Sequence, residues 1–133
     1  MCGIAGLMTA DGTAPATGVL DRMAMAIGHR GPDGRGDYVD GDVAMMQVRL
    51  AIIDLKTGDQ PLYAPADEDH GRLALIANGE IYNYIELRQQ MSNIDYATGS
   101  DCESMLYLYR EHGMDFAEHL RGMYTVAIHD PDD

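Results

Sequence analysis

Basic residues are scarce in this sequence. Lysine and arginine number 9 against 22 aspartates and glutamates, the formal net charge is -13, and Lys56 is the single lysine. A surface of that sign repels polyanions, which excludes nucleic acid and anionic membranes as partners. Long apolar runs are missing as well: no stretch approaches the roughly 18 residues that suggest a membrane span. The first residues carry no basic segment and Asp11 interrupts the early apolar run, which predicts no signal peptide. Cysteine is represented only by Cys2 and Cys102, too few for a disulfide framework, so free thiols in a cytoplasmic chain are expected. No internal repeat or low-complexity tract is present.

What is there suits one globular domain. The chain has 133 residues, 46% hydrophobic and 23% charged, enough to bury a core. "GIAGLM" reads as a short buried strand and "TADGTAPATG" as turns. Residues 20–29 carry Leu20, Met23, Ala24 and Ile27 at helical spacing, with Gly28 near the end. "RGPDGRGD" reads as a loop, "VAMMQVRLAIIDL" as one long strand bent near Arg49, "GDQPLYAPADEDHG" as a loop, and "RLALIAN" as a strand ended by "NG". The second half turns helical: Tyr84, Leu87 and Met91 share a face, and Ser100 with Glu103 forms a capping-box pattern before Met105, Leu106 and Leu108, with Gly113 past the end. "MDFAEHL" adds about two turns and "GMYTVAIHD" a last strand. This order predicts an α+β fold with largely antiparallel sheet.

Several polar residues admit two readings. Cys2 is either a buried apolar cysteine or an N-terminal nucleophile. In the second case removal of Met1 frees an α-amine whose pKa, about 7.7–8.0, suits a general base. "NGE", Asn78 to Glu80, is either a hairpin turn or a pair of oxyanion donors, the Gly79 N–H and the Asn78 amide. Arg49, inside an apolar run, is either ion-paired or a clamp for a substrate carboxylate. Asp101 either answers a helix dipole or binds a substrate ammonium. "HRGPDGRG" is a helix end and turn, or backbone held close to the nucleophile. The histidines His29, His70, His112, His119 and His129 have no metal-like spacing and are assigned structural or solvent roles, with no metal site.

In order along the chain stand "MCGIAGL", "HRGPDGRG", "RLAIIDLKTGDQPL", "NGEIYNY", "GSDCE" and "RGMYTVAIHD". Together they resemble the N-terminal glutaminase domain of the asparagine synthetase family, a class II glutamine amidotransferase. "MCGI" is shared with other class II amidotransferases; the remaining set looks specific to asparagine synthetases and their relatives. The resemblance covers nearly the whole chain. One departure is that members often carry a histidine before the Arg-Leu pair, where this chain has "QVRL".

The resemblance implies an N-terminal-nucleophile hydrolase fold, an αββα sandwich of antiparallel sheets. It implies Cys2 as nucleophile toward the side-chain amide of L-glutamine, forming a thioester that water hydrolyses, with Asn78 and Gly79 holding the oxyanion. Arg49 would bind the α-carboxylate, Asp101 with Glu80 the α-ammonium, and Leu50, Ala51, Ile52 and Ile53 would line the pocket. Arg30 and Gly31 would support the nucleophile. In the full family ammonia passes to an ATP-dependent synthetase domain that uses ATP and magnesium to amidate aspartate. No "SGGxDS"-like loop occurs in these residues, and the family's glutaminase domain continues with further strands beyond "HDPDD". The chain is therefore expected to be an incomplete glutaminase domain, without a cofactor of its own. Its expected partners are L-glutamine, the C-terminal synthetase domain and, as an option, a second copy of the chain. Two other readings stay open: a relative that amidates another carboxylate, and an inactive glutamine-binding fragment.

Overall fold

Alternation sets the architecture. A strand turns successive side chains to opposite faces, and in Val43–Arg49 (β3) Ala44, Met46 and Val48 pack on Leu20 and Ala24 of a helix, Val19–Ile27 (α1). The intervening Met45 packs instead against Ala74 and Ile76 of Leu73–Ile81 (β5). β3 is thus covered on both faces, which explains its nearly unbroken apolar run. The computed structural model describes residues 2–68 and 70–133.

Among the described residues two three-stranded antiparallel sheets result. The first runs Gly3–Met8 (β1), β3, Gly34–Asp40 (β2); the second runs Leu62–Ala64 (β4), β5, Gly122–His129 (β6). α1 lies outside the first sheet. Tyr84–Gln90 (α2) and Ser104–His112 (α3) lie outside the second, where Leu73, Leu75, Ala77 and Ile81 meet Leu87, Met105, Leu106 and Phe116. The layer order helix–sheet–sheet–helix is the αββα sandwich expected from the sequence, in an α+β fold.

Several local expectations need correction. "GRGDYVD" is strand β2 rather than loop, because pairing with β3 over its whole length overrides its glycine content. The long strand expected through residues 43–55 ends at Arg49, and residues 50–61 form a loop. Leu62–Ala64 adds a short strand inside the segment read as loop. β5 does not stop at "NG": Asn78 and Gly79 pair with Thr125 and Tyr124 of β6, so no hairpin turn forms there. β1 is an edge strand with Met8 exposed, not a buried one. The capping box is half formed: Ser100 Oγ accepts from the Cys102 N–H at 3.3 Å, whereas the Glu103 carboxylate accepts from Ala97 and Thr98. Residues 101–103 and Gly113–His119 are 3-10 turns flanking α3. No helix among the described residues is long and apolar enough to cross a membrane.

Candidate active site

Beyond the end of β4 the sandwich opens into a cavity of about 320 Å³. Strand parity puts the first wall together. Ile4 packs between the sheets, so Cys2, two residues earlier, faces the same way; on β3, Gln47 and Arg49 follow Met45 inward. All three line the cavity.

The Cys2 sulfur lies against the backbone of Leu50. The Leu50 N–H donates to Sγ at 3.3 Å, and Sγ lies 3.6 Å from the Leu50 carbonyl, which accepts from the thiol. Both backbone polar groups of one residue therefore hold the sulfur in place. Arg30 Nε donates to the Cys2 carbonyl at 3.1 Å. Gly31 lets the preceding turn pass β3: a Cβ there would come within 2.4 Å of the Val48 carbonyl. Arg30 and Gly31 thus sit behind Cys2 and do not line the cavity.

The opposite wall is β5. In an antiparallel strand successive N–H groups point to alternate sides. The Tyr82 N–H meets the Arg121 carbonyl on the β6 side, while the Ala77 and Ile81 N–H groups turn the other way, to Gln60 Oε1 at 2.6 Å and Asp101 Oδ2 at 2.7 Å. Gly79 shares their parity. Its N–H points past the end of β4 into the gap, while the Asn78 side chain, of the same parity as Ala74 and Ile76, faces the first sheet. The two donors converge at the cavity because a strand edge is uncovered, not because a turn exposes them.

Arg49 is buried and engaged. Nη1 contacts Asp59 Oδ1 at 2.6 Å, and Nη2 donates to the carbonyls of Ile53 and Asp54. The guanidinium is thus the hub of the loop 50–59. Asp54 ties that loop to the segment before Asp101: its carboxylate accepts from Thr57 and from the Gly99 N–H at 2.8 Å. The Thr57 hydroxyl holds the Asp54 carboxyl below its usual range. Asp101 is placed by the segment before it, where the buried Glu103 carboxylate accepts from the N–H groups of Ala97 and Thr98, both at 2.8 Å. Cys102, buried beside Asp101, has its thiol pushed well up by desolvation and by the neighbouring carboxylate.

The glutamine amidotransferase domain family matches this chain over residues 1–133. The chain belongs to that family. Among relatives of this glutamine amidotransferase domain, the glutamine-hydrolyzing asparagine synthetase of Asparagus officinalis is 43% identical over 132 residues, covering 98% of the chain and 22% of that protein. Asparagine synthetase 2 of Bacillus subtilis (strain 168) is 40% identical over 135 residues, covering 98% of the chain and 17% of that protein. The domain thus spans about a fifth of these relatives' length. Among solved structures, glutamine phosphoribosylpyrophosphate amidotransferase from B. subtilis, complexed with ADP and GMP, aligns with a TM-score of 0.56 at 25% identity, over 96% of this chain and 29% of that one. The allosteric regulatory enzyme of purine biosynthesis aligns with a TM-score of 0.57 at 28% identity, over 68% of this chain and 22% of that one.

Most of the site residues expected from the sequence of this amidotransferase domain meet at one place. Cys2, Arg49, Leu50, Ile52, Ile53, Asn78, Gly79, Glu80 and Asp101 line the cavity. Ala51 does not; its N–H donates to Asp33 Oδ2 at 3.0 Å, outside the cavity. Met1, whose removal the N-terminal amine requires, lies outside the described residues. Among the described residues no histidine lines the cavity: His129 Nδ1 contacts Tyr38 Oη, His70 contacts Asp67, and His112 stacks on His119. Gln47 and Gln60 line the cavity and were not singled out from the sequence. The signal for Gln47 was present, as a polar residue that shares with Arg49 the inward-facing positions of an apolar strand. Gln60 carried none, since its role depends on where β4 begins.

Proposed function

We propose that this domain hydrolyses L-glutamine to glutamate and ammonia as the glutaminase part of an asparagine-forming amidotransferase. One observation carries the reading. A half-buried cysteine sulfur shares a single cavity with two convergent amide donors, a guanidinium and a carboxylate, the set a zwitterionic amide substrate needs. Arg49 binds the α-carboxylate, Asp101 and Glu80 the α-ammonium, and Leu50, Ile52 and Ile53 cover the aliphatic chain.

With Met1 removed, the Cys2 α-amine takes the thiol proton and Sγ bonds to the amide carbon. The carbonyl π-pair moves to oxygen, where the Gly79 N–H and the Asn78 amide hold it. On collapse the C–N bond breaks, and the α-ammonium returns its proton to the departing nitrogen as ammonia. Water then attacks the thioester, passing its proton to the amine. The C–S bond breaks, and the thiolate recovers the proton as glutamate leaves.

ATP and magnesium belong to the amidation of aspartate, which we assign to residues outside this chain. Among the described residues no group of three or more His, Cys, Asp or Glu is placed to hold a metal ion, and no step above is routed through one. A cytoplasmic location is part of the same proposal.

The test is glutamate release from glutamine, with the intact mass read on the same sample. Release with Met1 absent, lost on Cys2→Ala substitution without loss of folding, supports the reading. Turnover retained by Cys2→Ala removes the nucleophile assignment.

A further inference from the structure

β4 begins two residues too late to pair with the part of β5 that matters for catalysis. Leu62 lies opposite Leu75, so the register carried back two places sets Gln60 opposite Ala77. The Ala77 N–H meets the Gln60 side chain instead, donating to Oε1 at 2.6 Å. The Ala77 carbonyl is met from the other sheet, by Gln47 Nε2 at 3.1 Å. Two side-chain amides thus stand where a neighbouring strand's backbone would stand, one on each polar group of the residue immediately before Asn78 and Gly79.

Gln47 is held through its side chain and Gln60 through its backbone. Gln47 is buried in β3, and its orientation follows from the acceptor it meets, because only the NH2 group can donate to a carbonyl. That choice leaves Gln47 Oε1 buried without a partner among the described residues. An apolar side chain would fill the space without this cost, so what the amide supplies is the Ala77 contact. Gln60 lies hard against β2: a Cβ on Gly36 would fall 1.6 Å from the Gln60 carbonyl oxygen.

We propose that Gln60 and Gln47 are positioning residues for the oxyanion donors, clamping Ala77 so that the Gly79 N–H and the Asn78 amide hold their places at the cavity. The proposal rests on the glutaminase reading. Donors of this kind act only within a narrow distance of the developing charge, and losing one outright costs about 10²–10³ in kcat. A loosened clamp costs less than a lost donor.

The experiment compares Gln60→Met, which keeps the length and loses the acceptor, with Gln60→Glu, which keeps a carboxyl oxygen for the Ala77 N–H. Gln47→Met gives the same comparison for the donor. Glutamine turnover and amide hydrogen exchange over residues 77–79 are read on each. In both Met variants kcat falls about 10- to 100-fold while KM stays within about twofold, the pattern of an interaction used in the transition state, and exchange quickens. Gln60→Glu recovers kcat and protection. Unchanged exchange in Gln60→Met overturns the clamp. So does faster exchange with unchanged kcat, or a rise in KM alone. Failure of the unsubstituted protein to release glutamate overturns the glutaminase reading and this proposal with it; release by the parent with equal turnover in Gln60→Met overturns the clamp alone.

Discussion

Arg49 Nη1 and Asp59 Oδ1 lie 2.6 Å apart, an ion pair in which the guanidinium is buried and the carboxylate largely exposed. The pair places a carboxylate of the chain on the group proposed to receive the carboxylate of the substrate. Water reaches the carboxylate end, and pairs open to solvent contribute only roughly 0.2–1 kcal/mol to stability, so Asp59 readily gives up the contact. Asp59→Asn should lower KM for glutamine about two- to fivefold with kcat unchanged, the range that such an energy permits. Steady-state kinetics at low ionic strength, where the competing charge is least screened, makes the measurement. A raised KM would mean that Asp59 orients Arg49 rather than competing for it.

The two cysteines should differ sharply toward electrophiles. Cys2 is half-buried and receives the Leu50 N–H, whereas Cys102 is buried with its thiol pushed up by desolvation. Only the thiolate reacts. Iodoacetamide at pH 8 should label Cys2 and spare Cys102 in the folded protein, and label both once urea unfolds it, as read by peptide mass.

Asp54 gives a pH dependence of definite sign. Its carboxyl is held below the ordinary value of 3.8, chiefly by the Thr57 hydroxyl and then by backbone N–H groups including that of Gly99. A depressed carboxyl stabilises the fold fully above its unfolded value and loses that contribution as the pH falls through the folded one. Stability should therefore drop more steeply below pH 3.8 in the parent than in Asp54→Asn, measured by urea unfolding across that range. Parallel curves would remove Asp54 from the acid response.

Leu106 has no exposed surface and sits where α3 meets the second sheet. Leu106→Ala should cost about 2–5 kcal/mol, the range for a buried leucine that leaves a cavity, as a lower urea midpoint with unchanged slope. A cost below 1 kcal/mol would mean that this layer collapses around the deletion.

Much of the candidate site was legible because its cavity is lined by residues that look misplaced: a cysteine next to the first residue, an arginine in an apolar run, an Asn-Gly pair after a strand, an aspartate before a helix. What misled were the local rules. "NG" signals a turn when judged by neighbours alone, yet ladder pairing with Thr125 and Tyr124 keeps both residues in β5. "GRGDYVD" signals a loop, yet β3 recruits it as a strand. Each is tertiary pairing overriding propensity, which a window of adjacent residues does not contain.

The sequence by itself determined the parity of the strands, the apolar faces of the helices and the residue types a glutamine site needs, because each depends on neighbours a few positions away. Only the tertiary structure decided that β4 stops short of Ala77, that Gln60 and Gln47 stand in its place, and that Asp59 reaches Arg49. Those contacts depend on where two sheets and one loop come to rest, and that position is set by the packing of the whole core rather than by any segment of the chain.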